Sequence, residues 1–294
     1  MDTDMIIELR NIKQYFHIND RLTIKAIDGL SLGIKKGEVF GLVGETGCGK
    51  STVARVVSGI YRPTEGEILF EGECIFGQHA SKAYAKKSQR EMQLIFQDSA
   101  ASLNPRMTVR QIILEPLCIH GKKSDLSDNK RRLEMLMEDV GMSSSFLSKH
   151  PGELSGGQRQ RVAIARSLML NPKLVIADEP IASLDISIQA QILTLFQRLQ
   201  REKGFSFLFI AHDLSAVRFL CDRIGVMLRG KLVEVAATED LFSNPIHPYT
   251  KALLSAIPIP DPIFERKKKI QYYDTSLPLG STMVEYFPGH LVLE

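Results

Sequence analysis

The chain has 294 residues, 44% of them hydrophobic and 24% charged, with a formal net charge of +3. That balance fits a folded protein of about two average domains and excludes a disordered chain, a collagen-like fibre and a disulfide scaffold. No run reaches the roughly 18 apolar residues of a membrane helix. Met1-Asp2-Thr3-Asp4 puts acidic residues where a signal peptide carries lysines, which predicts a protein kept in the cytosol. The small basic excess does not argue for a nucleic-acid binder. The cysteines Cys48, Cys74, Cys118 and Cys221 are scattered without metal-site spacing and read as free thiols.

In chain order, residues 5–9 and 22–27 are short β-leaning runs, and 30–34 alternates apolar with small or polar side chains before the turn Lys35-Lys36-Gly37. Residues 38–43 form a compact apolar run, read as a buried strand, which ends in a glycine-rich turn; 50–60 then has helical character. The glycines and alternating apolar residues of 61–77 predict a hairpin. From about 107 to 170 apolar residues recur at three- and four-residue spacing, a helical pattern. Beyond it the pattern alternates: strand 174–177, helix 187–203, strand 205–211, helix 214–221. Strands separated by helices of this length predict parallel β-α-β units around a covered sheet. The last 35 or so residues are Pro-rich and lack strong periodicity.

The strongest chemical signal is Gly44-Glu45-Thr46-Gly47-Cys48-Gly49-Lys50-Ser51-Thr52, which matches G-x-x-x-x-G-K-[ST] between an apolar strand and a helix. Glycines let successive backbone N–H groups converge on one phosphate, and the helix start adds partial positive charge. Lys50 can bridge the β- and γ-phosphates, and Ser51 can offer its hydroxyl to Mg²⁺. The second signal is the apolar run 174–177 ending in Asp178-Glu179. Two acids at the end of a buried strand are costly unless they meet a cation or a polar reactant. Paired with the phosphate loop, Asp178 reads as a residue that helps hold Mg²⁺ and Glu179 as the base for the attacking water; alone, Asp-Glu-Pro would read as a cap or turn. The third is Leu154-Ser155-Gly156-Gly157-Gln158, where Ser155 is a good amino-cap and two glycines leave the helix start bare. A second anion-binding helix start makes most sense as part of another subunit's site.

Together these motifs resemble the ATP-binding subunits of ABC transporters. The family order of phosphate loop, Q-loop glutamine, signature, acidic strand end, D-loop and switch histidine appears here as 44–51, Gln97, Leu154–Gln158, Asp178 with Glu179, Ser183-Leu184-Asp185 and His212. The resemblance implies a P-loop NTPase (RecA-like) α/β core, an antiparallel β-subdomain near the amino terminus, and a helical subdomain at about 99–168 that carries the signature. It implies that Gln97 contacts Mg²⁺ or the attacking water and senses a membrane partner, that His212 bonds the γ-phosphate and supports Glu179, and that Asp185 lies at a dimer interface. Phe16 is the choice for stacking on adenine, with Tyr15 the alternative and a plain core aromatic the bland reading. The implied assembly is a head-to-tail dimer, with ATP between the phosphate loop of one cassette and the signature helix of a second, homologous ATPase subunit.

Within that family, the segments Gln97–Val109, His150-Pro151-Gly152-Glu153 and Asn244–Pro258, with its HPYT motif at His247–Thr250, resemble the dipeptide/oligopeptide/nickel importer branch. This implies a cassette over 1–240 with an extension over 241–294, two permease subunits, an extracytoplasmic substrate-binding protein and a place on the cytoplasmic face of the cell membrane. The leading cargo is a di- or oligopeptide. Nickel or a metal chelate is the alternative, and a soluble non-transport ABC ATPase a more distant one. With no cysteine after Cys221, no iron–sulfur cluster is expected. Arg266-Lys267-Lys268-Lys269 reads as a solvated linker rather than a lipid contact. Cys48, beside a helix start, is expected to have a lowered thiol pKa, so that a maleimide inhibits and bound MgATP protects.

Overall fold

A computed structural model describes residues 4–19, 22–120, 126–258 and 268–294; Arg266 and Lys267 of the basic run lie outside these. The chain opens with a long hairpin, β1 (Met5–Asn19) against β2 (Leu22–Lys35). The runs at 22–27 and 30–34 belong to one strand, because β2 continues through Gly29 rather than turning. β4 (Glu65–Phe70) and β5 (Glu73–Phe76) complete an antiparallel four-stranded sheet in the order β2-β1-β4-β5.

The second sheet has eight strands in the order β11-β12-β10-β9-β3-β8-β7-β6. Its parallel part consists of β3 (Val39–Val43), β6 (Met92–Ile95), β7 (Leu174–Asp178), β8 (Ser206–Ile210) and β9 (Arg223–Leu228). Every residue of β3, β7 and β8 is buried. Val175, Ala177, Phe207 and Phe209 enter one hydrophobic cluster, while Leu174, Ile176, Leu208 and Ile210 enter another on the opposite face. Burial on both faces is why these strands read as unbroken apolar runs.

α1 (Lys50–Val57) packs on the second of these clusters, between the two sheets. α2 (Lys82–Glu91) leads into β6. Between β6 and β7 the chain is helical: α3 (Ser99–Ser102), α4 (Val109–Ile119), α5 (Leu126–Asp139), two 3-10 turns and α6 (Gly156–Leu168). α7 (Ile186–Lys203) and α8 (Leu214–Leu220) alternate with β7, β8 and β9. Phe196 of α7 packs on Phe207 and Phe209 with ring centroids 5.1 and 6.4 Å away.

The last stretch departs from the expectation of an unpatterned tail. After β10 (Lys231–Ala237), α9 (Thr238–Ser243) and α10 (Pro248–Ser255), a hairpin of β11 (Met283–Phe287) and β12 (His290–Leu293) returns to the large sheet. There Glu234 and Val235 of β10 pair with Val292 and Leu291.

Candidate nucleotide site

The phosphate loop leaves the carboxyl end of β3 and enters α1, and Gly49 is where it turns. Gly49 has φ 111°, and a Cβ there would run into the carbonyl oxygen of Ala26, so only glycine fits. Lys50 is 4% exposed, and its ammonium donates to Gly44 O at 2.7 Å and Glu45 O at 2.9 Å. A buried ammonium held by two neutral carbonyls is poised to exchange them for charged oxygens.

Ser51 opens toward the end of β7, where its hydroxyl donates to Asp178 Oδ1 at 2.9 Å. Asp178 is 4% exposed, and burial pushes its carboxyl above the ordinary carboxylate value, against the pull of the Ser51 hydroxyl. Glu179 has φ 47°, a left-handed conformation costly for a side chain of this size, and its N–H is tied to Ile210 O at 3.0 Å. Held there, its Oε2 accepts from Gln97 Nε2 at 2.9 Å and lies 3.4 Å from His212 Nδ1. β6, β7 and β8 therefore each deliver one of the three side chains that meet at this oxygen.

A cleft of about 550 Å³ is lined by Phe16, Ala26, residues 46–52, Gln97, Glu179 and Arg229. Phe16 reaches it from β1, with Tyr61 edge-on at 5.4 Å between centroids. Tyr15 is engaged elsewhere: its hydroxyl donates to the Asp28 carboxylate, which pushes the phenol up to about 12. His212 lines an adjoining cleft with Glu179, Gln189 and Pro258.

The signature residues do not line the phosphate-loop cleft. Ser155 caps α6 reciprocally with Gln158: Ser155 Oγ accepts from Gln158 N at 3.3 Å, and Gln158 Oε1 from Ser155 N at 2.9 Å. A Cβ on Gly157 would stand 2.8 Å from Ile188 Cγ2, so α6 and α7 approach closely there. Leu184 packs beside Gly156, and Asp185 begins α7 without capping it. Signature and D-loop thus form one surface, apart from the loop they are read with.

The thiol shift at Cys48 runs opposite to the direction expected. The residue is 6% exposed and packs toward Gly44; burial raises the thiol above its ordinary value, and the Lys50 ammonium offsets this only in part. Desolvation outweighs the helix start. The sequence reading also missed Tyr249, whose hydroxyl accepts the Glu45 N–H at 3.1 Å.

A glycine loop on a buried ammonium, an acidic pair at the end of the neighbouring strand and a detached capped glycine helix define a P-loop nucleotide-hydrolysing cassette whose motifs are split between two surfaces. The ABC transporter family pattern matches residues 27–182, and the pattern for the oligopeptide/dipeptide transporter C-terminal region matches 233–277. The chain belongs to the ABC transporter family, as one of its ATP-binding ATPase subunits. It is 51% identical over 296 residues to the oligopeptide transport ATP-binding protein OppF of Bacillus subtilis, covering 99% of this chain and 96% of that one. It is 47% identical to the oligopeptide transport ATP-binding protein AmiF of Streptococcus pneumoniae serotype 4, over 99% of this chain and 95% of the relative. Among solved structures, a dimeric post-hydrolysis state of the ATP-binding cassette MJ0796 bound to ADP and Pi superposes with a TM-score of 0.70 at 27% identity, covering 79% of this chain and 98% of that one.

Proposed function

We propose that this subunit hydrolyses ATP to energise the import of di- or oligopeptides. The observation that carries the cargo is the combination of the HPYT-bearing C-terminal region with relatives, matched over nearly their whole length, that are named for oligopeptide transport. Among the described residues no helix is long and apolar enough to cross a membrane. Membership of the importer family supports a chain that acts from the cytoplasmic face by docking on two permease subunits, which receive cargo from an extracytoplasmic binding protein.

The second nucleotide surface is supplied by a homologous cassette. Ile186, 85% exposed beside Asp185, and the solvent-facing signature cap are the kind of surface a head-to-tail partner covers. The dimeric MJ0796 cassette supports this arrangement. Phe16 stacks on adenine, and the N–H groups of 46–52 hold the phosphates. Lys50 gives up its carbonyl partners for phosphate oxygens.

The donor set would fit Mg²⁺: the Ser51 hydroxyl and the Asp178 carboxylate lie side by side, and the Gln97 amide lines the same cleft as Ser51, oxygen ligands of the kind a hard cation takes. The metal supplies charge neutralisation on the phosphates. Glu179 orients water and accepts its proton. Gln97 fixes the carboxylate by donating to its Oε2, with the His212 imidazole 3.4 Å from the same oxygen, so the base is pre-positioned before the partner surface closes.

The test is uptake of a labelled tripeptide by cells in which this chain is replaced by Glu179→Gln. Loss of uptake with the wild type restoring it is the expected result. Intact peptide uptake, with loss of labelled nickel uptake instead, would move the cargo to a metal.

A further inference from the structure

The C-terminal region carries a group that reaches the nucleotide loop. Tyr249, 2% exposed, sits in the first turn of α10, yet its hydroxyl accepts the backbone N–H of Glu45 at 3.1 Å. The carbonyl of the same residue accepts from Lys50 Nζ at 2.9 Å. Glu45 is thus gripped on one side by the phenol and on the other by the phosphate-loop lysine.

The phenol is itself held from several directions. His247 Nδ1 accepts the Tyr249 N–H at 3.1 Å and caps α10. Ile246 and His247 donate their N–H groups to Glu234 of β10 at 2.8 and 3.1 Å. Glu234 is fully buried and receives His290 Nε2 of β12 at 2.7 Å. The Tyr273 ring closes on Tyr249 edge-on, 5.7 Å between centroids. A buried aromatic needs no such fixing to fill space; a hydroxyl aimed at one N–H does.

We infer that Tyr249 is a positioning residue for the phosphate loop: by holding the Glu45 peptide through its N–H, the C-terminal segment keeps the loop backbone in its curve and so contributes to nucleotide affinity without touching nucleotide. This rests on the nucleotide-binding reading of the loop. It gives the HPYT tyrosine a task at the site, whereas its sequence context suggested only a family marker.

The experiment is a calorimetric titration of MgADP into the full chain, comparing wild type, Tyr249→Phe and Thr250→Val. The phenylalanine keeps the ring and removes only the acceptor. Thr250 is the control: it is buried on the same helix, and its hydroxyl has no hydrogen-bond partner among the described residues. Tyr249→Phe should raise Kd by more than twofold and at most about tenfold, the ceiling set by one net hydrogen bond, with the number of sites unchanged and Thr250→Val at the wild-type value. A merely structural loss removes folded protein and so lowers the number of sites at constant Kd. That result, a Kd within twofold of wild type, or an equal rise in Thr250→Val would overturn the inference. A wild-type chain that binds no MgADP would instead remove the nucleotide reading and this inference with it.

Discussion

Glu234 offers the sharpest stability test, because one carboxylate serves three donors in a place water does not reach. Glu234→Ala strips the acceptor from Ile246 N, His247 N and His290 Nε2, which now lie 2.8, 3.1 and 2.7 Å from it. Each donor left unmet in the interior costs about 1–3 kcal/mol, and breaking a buried pair by removing one partner costs about 3–5 kcal/mol. Water entering the vacated space recovers part of the sum, so the expected loss is about 3–5 kcal/mol. That is a large share of the roughly 5–15 kcal/mol that holds a typical domain together. Equilibrium urea unfolding measures it, and hydrogen exchange at residues 290–293 tells where it falls. The β11–β12 hairpin should lose protection first, since β12 meets the rest of the sheet only through β10. A Glu234→Ala chain within about 0.5 kcal/mol of wild type, well below even one unmet donor, would refute the reasoning.

The remaining predictions concern the site and its surroundings. Glu179→Gln should retain nucleotide binding while ATP turnover falls about 10²–10⁴-fold, the usual worth of a general base; a steady-state assay that recovers more than a few per cent of wild-type turnover would remove the role. Cys118 is exposed while Cys48 is buried with its thiol pushed up by burial, so a maleimide at neutral pH should label Cys118 and leave Cys48 unmodified, as peptide mapping would report. Burial holds the His247 imidazole below its ordinary value, against the pull of Glu234. The unfolded chain takes up that proton near pH 6.5, while the folded chain resists until the pH is lower. The stability His247 contributes is therefore complete above about pH 6.5 and is lost as pH falls below it. Urea midpoints between pH 7.5 and 5.5 should show His247→Gln with the shallower decline.

The residues proposed to meet nucleotide were legible in the sequence because they fall in local motifs. Gly49 must turn, Lys50 must follow, and a capped Ser155 must open α6; each is written within a few neighbouring residues. The doubly buried strands β7 and β8 were equally plain, since burial on two faces leaves no polar alternation to confuse. Side-chain partners from distant segments were not legible. Nothing near Tyr249 announces a bond to Glu45, and nothing near Glu234 announces His290. The tail hairpin did have a local sign, Pro288-Gly289 between the short β-leaning runs 284–287 and 290–293, but β11 is largely exposed and gives little apolar contrast. Cys48 shows the opposite failure: a correct local rule about helix starts was outweighed by packing visible only in three dimensions.

The order of strands also fixes when the nucleotide cradle can exist during folding. β3 lies between β8 and β9, with Val39 paired to Phe207 and Phe40 to Arg223, so the strand that launches the phosphate loop finds both neighbours only after most of the chain is available. Contacts of such separation form slowly, because a long loop must close before they repay its entropy. Until then Val39–Val43 is an unpaired apolar strand, the kind of segment that sticks to its own copies. A fragment ending before β8 would carry every residue of the glycine loop but lack the strand pairing that holds its shape, which leaves β3 open to self-association while the chain is being made.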